Sequence, residues 1–291
     1  MVDIAACARV SAHITTGGLH MARRLSVAIA VTCLILATTA HADINEGLVS
    51  AWTFDGIDAN DAYGNSDGIL HDGAVLTDDG MNGKALDLDG VEAYVEVPNE
   101  SAFDFMENGY SVSAWMNVRA GRDHSAIVWK GEKVGWGAHF TVRICTTSDT
   151  GMTWGACAPG VEGWFATDGV YDTDEWVHVC QTVDGIQAIG YVNAEIPVSG
   201  QNNPLPVAAP YLLFDDFPFE FGVGRQVGGN LGQDAYLEGM IDEIYLYDRA
   251  LTEEEVVELS EGVRPGAVDA ALGVDANGKI ATAWGALKAH R

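Results

Sequence analysis

Hydrophobic and polar residues alternate with a period of two in many short runs separated by turn-forming residues, which predicts a chain built mostly of β-strands. Leu48, Ser50, Trp52 and Phe54 alternate with Val49, Ala51 and Thr53. Val112, Ala114, Met116 and Val118 alternate with Ser111, Ser113, Trp115 and Asn117, so one face of that run is apolar. The runs 85–89 and 93–97 flank Gly90 and read as a hairpin ended by Pro98. Runs at 125–130 and 139–144 read as a second strand pair, and 176–183 and 186–192 as a pair joined at Asp184-Gly185. Further strands are expected at 163–166 and 219–224, while 145–157 reads as a loop.

The last strand, 240–247, places Ile241, Glu243, Tyr245 and Tyr247 on one face and Asp242, Ile244 and Leu246 on the other. Asp242 thus shares an apolar face, where a carboxylate needs hydrogen-bond donors or a metal. After it, Thr252 and Glu255 have the spacing of a capping box for a short helix that runs to about Ser260 and stops at Gly262. More than ten short strands and one short helix predict an all-β fold: a jelly-roll sandwich of two antiparallel sheets.

Composition supports this and adds an address. Many of the 34 glycines follow Asp or Asn, the chemistry of tight turns. Residues 21–42 combine a basic start, an apolar run from Leu25 to Ala37 and a small-residue end at Ala40-His41-Ala42. This predicts a secretory signal peptide cleaved after Ala42, with residues 1–20 an over-extended start and the mature product extracellular or periplasmic. The apolar run is short for a bilayer span. The full chain carries a net charge of −27; removal of 1–42 leaves 12 basic against 41 acidic residues, or −29. Such acidity argues against nucleic acid or an anionic membrane as partner. In an oxidising compartment Cys145 and Cys157 are a candidate disulfide, and Cys180, in a strand, is expected to be a buried free thiol.

Several stretches together resemble the laminin G-like, concanavalin A-like jelly-roll domains of secreted bacterial proteins. They are 48–55, 83–90 with 94–98, 111–116, 175–179 with Asp184-Gly185, 191–193, and 239–252. The resemblance covers roughly 47–262 and leaves 263–291 as a C-terminal tail. It implies a two-sheet sandwich that binds carbohydrate or a protein partner, with one structural Ca²⁺ held by Asp242, Asp55 and a backbone carbonyl near Gly90.

No lipase, zinc-protease or phosphate-loop motif is present, and no strand carries the spaced carboxylates of sandwich glycosidases. No catalytic residue is therefore assigned. The functional expectation is a secreted, non-catalytic module that recognises a glycan or an extracellular protein. A carbohydrate-active enzyme on the same sandwich and a matrix or protein-interaction element are the alternatives. For sugar stacking the candidates are Trp136, Trp154, Trp164 and Tyr171, all in or beside glycine-rich connections.

Overall fold

The computed structural model describes residues 43–103, 109–120, 124–131, 138–144, 150–158, 161–167, 169–198, 202–207, 219–225, 234–266 and 268. The expected signal peptide lies outside them. Two antiparallel sheets face each other, as the alternation predicts, with a further strand pair at Val223–Arg225 (β15) and Asp234–Tyr236 (β16).

The first sheet is ordered β13 (Leu205–Pro206), β12 (Gln187–Val192), β11 (Trp176–Val183), β6 (Tyr110–Ala120), β17 (Glu238–Tyr247), β4 (Ala85–Asp89) and β3 (Val75–Thr77), with β1 (Leu48–Trp52) also on β17. The second runs β10 (Val161–Thr167), β9 (Met152–Ala158), β8 (Ala138–Ile144), β7 (Ala126–Gly131), β14 (Phe219–Phe221), β5 (Tyr94–Val97) and β2 (Ile69–His71). The pairs β7–β8 and β11–β12 form as expected.

Two expectations change. Strands β4 and β5 are not a hairpin: β4 pairs with β17 and β3 in the first sheet, and β5 with β14 and β2 in the second. The Asp89 carboxylate accepts N–H bonds from Val91, Glu92 and Ala93, at 2.8, 3.1 and 3.1 Å. That makes a wide corner which carries the chain between layers, where a two-residue turn would have folded it back. The segment read as a loop before Cys157 contains β9, paired with both β8 and β10. Cys145 lies outside the described residues; Cys157 is opposite Glu162, and Ile144 is opposite Met152. Cys180 is buried and free.

The face of Asp242 also differs from expectation. In β17 Ile241 is opposite Met116 and Asp242 opposite Trp115, but Tyr245 is opposite Ser113, so the register shifts between them. The extra residue is a β-bulge, with Glu243 at φ +52°. It reverses the alternation, so Ile241, Ile244 and Leu246 all enter the inter-sheet core while Tyr245 and Tyr247 face outward.

The inter-sheet core is centred on Trp52, whose ring meets Phe103, Phe219 and Phe221 at 6.0, 5.7 and 4.9 Å between centroids. Its Nε1 donates to the Ser66 carbonyl at 3.0 Å. A second core lies on the outer face of the first sheet, where helix α1 (Glu253–Ser260) sets Val256 and Leu259 with Leu48, Ala51, Cys180, Tyr191, Tyr245 and Tyr247. The predicted capping box is present: Thr252 Oγ1 accepts from Glu255 N, and Glu255 Oε2 from Thr252 N.

Trp52→Ala should lower unfolding free energy by about 3–5 kcal/mol in urea titrations, from lost packing and the cavity left behind. Trp52→Phe should cost about 1–3 kcal/mol, because the Ser66 carbonyl loses its buried donor. A Trp52→Phe loss close to zero would show that the indole hydrogen bond contributes nothing.

Candidate functional site

Two of the aromatic residues expected to contact sugar, Trp154 and Tyr171, lie in the core. Trp154 lies in β9 with its ring in the inter-sheet core, 0% exposed, and Tyr171 is buried in the same core. Trp164 is in β10 opposite Gly155. Trp136 lies outside the described residues. The glycine-rich composition that suggested loops belongs instead to a strand meander, and strand alternation sends Trp154 inward.

A different aromatic and acidic face is built by β7, β14, β5 and β2. In β5 the period of two puts Val95 and Val97 in the core, so Tyr94 and Glu96 point out of the sandwich. The register then lines up Trp129, Glu220, Glu96 and Ile69 across the four strands, with Tyr94 opposite His71 in the adjacent row. His71 stacks on Tyr94 with centroids 4.6 Å apart and planes 9° from parallel. His71 Nε2 lies 3.1 Å from Glu96 Oε2, their side chains 30% and 43% exposed. Tyr236 of β16 approaches Tyr94 at 6.3 Å. Trp129 and Glu220 are buried, whereas Tyr94, His71, Glu96 and Tyr236 are partly exposed. Flat rings beside a carboxylate supply both the apolar plate and the hydroxyl acceptors that a sugar ring requires. Alternation within β5 identified Tyr94 and Glu96 as strand residues; only the register sets them beside His71.

The expected metal ligands divide. Gly90, at φ +72°, belongs to the corner after β4, where an added Cβ would lie 2.7 Å from the Glu238 Cβ. Asp55 and Asp242 do reach a common junction at the β17 bulge, together with Asn82, Glu243 and Arg264. Asp242 is fully buried and accepts from Asn82 N at 3.0 Å and from Glu243 N at 2.8 Å. Asp55 Oδ1 accepts from Lys84 N at 2.9 Å, and its Oδ2 from Arg264 Nη2 at 2.6 Å. Arg264 Nε donates to Glu243 Oε1 at 2.8 Å, Nη2 also meets that oxygen, and the Tyr245 hydroxyl donates to Glu243 Oε2. Burial works against the Arg264 charge, but Glu243 and then Asp55 outweigh it and hold the guanidinium protonated.

This donor set does not fit Ca²⁺. A calcium ion takes six to eight oxygens at about 2.3–2.6 Å. Among the described residues no three His, Cys, Asp or Glu side chains are grouped to hold a metal, and Arg264 already fills the space between Asp55 and Glu243.

Burial, and then the negative charge of Glu243, push the Asp242 carboxyl up to about 8, against the N–H bonds of Asn82 and Glu243 and the Arg264 charge. The native carboxyl therefore keeps its proton up to pH about 8, whereas the unfolded one releases it near 3.8, the ordinary value for an aspartate. Because the native state binds the extra proton in that window, this contribution to stability is complete below the lower value and is lost as pH rises through the upper one. Thermal melts should show Asp242→Asn flattening the decline between about pH 4 and pH 8 relative to the wild type. An unchanged slope in the variant would show that Asp242 does not titrate as described.

Comparison with known proteins matches residues 89–257 to the concanavalin A-like lectin/glucanases superfamily, in its Laminin_G_3 family model. No curated protein matches the sequence. Among solved structures, domain 4 of AbnA, a GH43 extracellular arabinanase from Geobacillus stearothermophilus, in complex with arabinotriose, is similar with TM-score 0.54 and 24% identity, over 73% of this chain and 98% of that one. The binding domain of botulinum neurotoxin DC, in complex with SialylT, has TM-score 0.55 and 12% identity, over 76% and 53%. Trypanosoma rangeli sialidase has TM-score 0.52 and 16% identity, over 74% and 33%. At these identities the structures attest the fold alone. The β-sandwich, its strand order and the match to more than half of its length together make this chain a member of the concanavalin A-like lectin/glucanase superfamily.

Proposed function

We propose that this protein is a secreted, non-catalytic binding module whose ligand is a carbohydrate, taken up on the outer face of β5 and β2. The observation that carries this is the partly exposed Tyr94, His71, Glu96 and Tyr236 group, with two rings stacked and a carboxylate beside them. A pyranose or furanose laid against Tyr94 would bury its C–H face on the ring and offer hydroxyls to Glu96. The outer face of the first sheet is a poorer platform, because α1 and the second core cover much of it. Structures of this fold include complexes named for arabinotriose and SialylT, which makes these two the first ligands to test. The strongly negative chain disfavours acidic polysaccharides.

A second reading, hydrolysis, is favoured by one feature only. Glu96 and Glu220 are opposite each other on neighbouring strands. Side chains so placed start about 5 Å apart at Cβ, near the carboxyl separation used by retaining glycosidases.

On a glycan array followed by calorimetry, Tyr94→Ala and Glu96→Ala should each weaken binding of the best hit about tenfold or more, with melting temperature little changed. Undiminished affinity in both would remove this face as the site. Incubation with the same glycan should release no product; turnover abolished by Glu220→Gln would instead establish the enzyme.

A further inference from the structure

The junction at the β17 bulge joins four parts of the chain that are far apart in sequence. Asp55 follows β1, Asn82 and Lys84 precede β4, Glu243 is the bulged residue, and Arg264 follows α1. One guanidinium reaches three of them: Asp55 Oδ2 at 2.6 Å, Glu243 Oε1 at 2.8 Å and the Asn82 carbonyl at 3.2 Å. The side chains of Arg264, Asp55 and Glu243 are only 14%, 22% and 4% exposed. All three partners offer oxygen, the donor type that a hard divalent ion would use. A planar fork of N–H donors satisfies the same oxygens with one positive charge and a fixed geometry.

The backbone delivers Arg264 to this point. Gly262, at φ +80°, ends α1, and Val263 N donates back to the Glu258 carbonyl at 3.0 Å. Just beyond the arginine, Pro265 is buried and Val268 enters the second core. Arg264 is therefore held from both sides, and the start of the segment expected to be a tail is part of the folded domain.

We propose that Arg264 is the resident cation of this junction, cross-linking the β1 end, the 82–84 loop and the closing strand in place of a divalent ion. The fold is then independent of divalent metal as long as Arg264 is present. Removing the guanidinium leaves Asp55, Glu243 and the Asn82 carbonyl facing a space that a calcium ion can enter.

Thermal melts of the purified protein in EDTA and in millimolar calcium chloride test this, with calorimetric calcium titration alongside. The wild type should melt at the same temperature in both media and bind no calcium at this site. Arg264→Gln should melt about 10 °C lower in EDTA, since a buried ionic network loses the cation that contacts both carboxylates, and should regain several degrees in calcium. Arg264→Lys should fall between the two in EDTA and respond weakly to calcium. A wild type that loses melting temperature in EDTA would overturn the proposal outright, whether or not the variants fold. A glutamine variant as stable as the wild type, or one that calcium fails to rescue, would overturn the replacement of a divalent ion by Arg264.

Discussion

Strand β17 lies between β6 and β4 and also carries β1, so its alternation decides which way a large part of the first sheet faces. It must deliver Ile241, Ile244 and Leu246 to one core, a spacing of three and then two. A regular strand repeats every two residues and cannot do this, so one extra residue has to be inserted. The insertion puts Glu243 in the left-handed region, which costs of order 1 kcal/mol for a non-glycine residue. It also gathers Asp242 and Glu243 at a buried bend. The N–H groups of Asn82 and Glu243, the Tyr245 hydroxyl and Arg264 answer that concentration of oxygen. The long-range ties of the domain follow from the same need, because the donors come from segments on either side of the strand in sequence.

Once β17 is placed, the two outer surfaces diverge. On the first sheet Tyr245 and Tyr247 point out and create an apolar surface that must be covered, and α1, capped by Thr252 and Glu255, covers it. On the second sheet the outward positions of β14, β5 and β2 carry Glu220, Tyr94, Glu96 and His71, which are polar or amphipathic and need no apolar cover. The difference between a covered apolar face and an open polar face thus follows from what each strand presents outward.

Local chemistry was legible in the amino-acid sequence wherever it is set by neighbours in the chain. Period-two runs marked β1, β6, β11 and β12, and the Thr252–Glu255 spacing marked the start of α1 to the residue. Asp242 was also recognisable as a carboxylate that required partners, while Asp55 entered only through the family resemblance. Glycine density misled at 145–157, because glycine is as much at home in a meander of strands as in a loop, and Trp154 went to the core. Nothing within 85–97 reveals that the corner at Asp89 changes sheets, since that depends on β17 and β14 as pairing partners.

The sequence by itself determined the class of fold, the order of most of its strands along the chain, the helix and its cap, and that Asp242 on the closing strand needs partners. Tertiary structure decided the rest: which strands pair, which way Asp242 faces, that Arg264 joins Asp55 to Glu243, and that Tyr94 and His71 share a face. The physical reason is one of range. Alternation and capping are written in residues a few positions apart, whereas register, bulges and ion pairs join residues up to 209 positions apart, as Asp55 and Arg264 are, and become determinate only when the whole core closes.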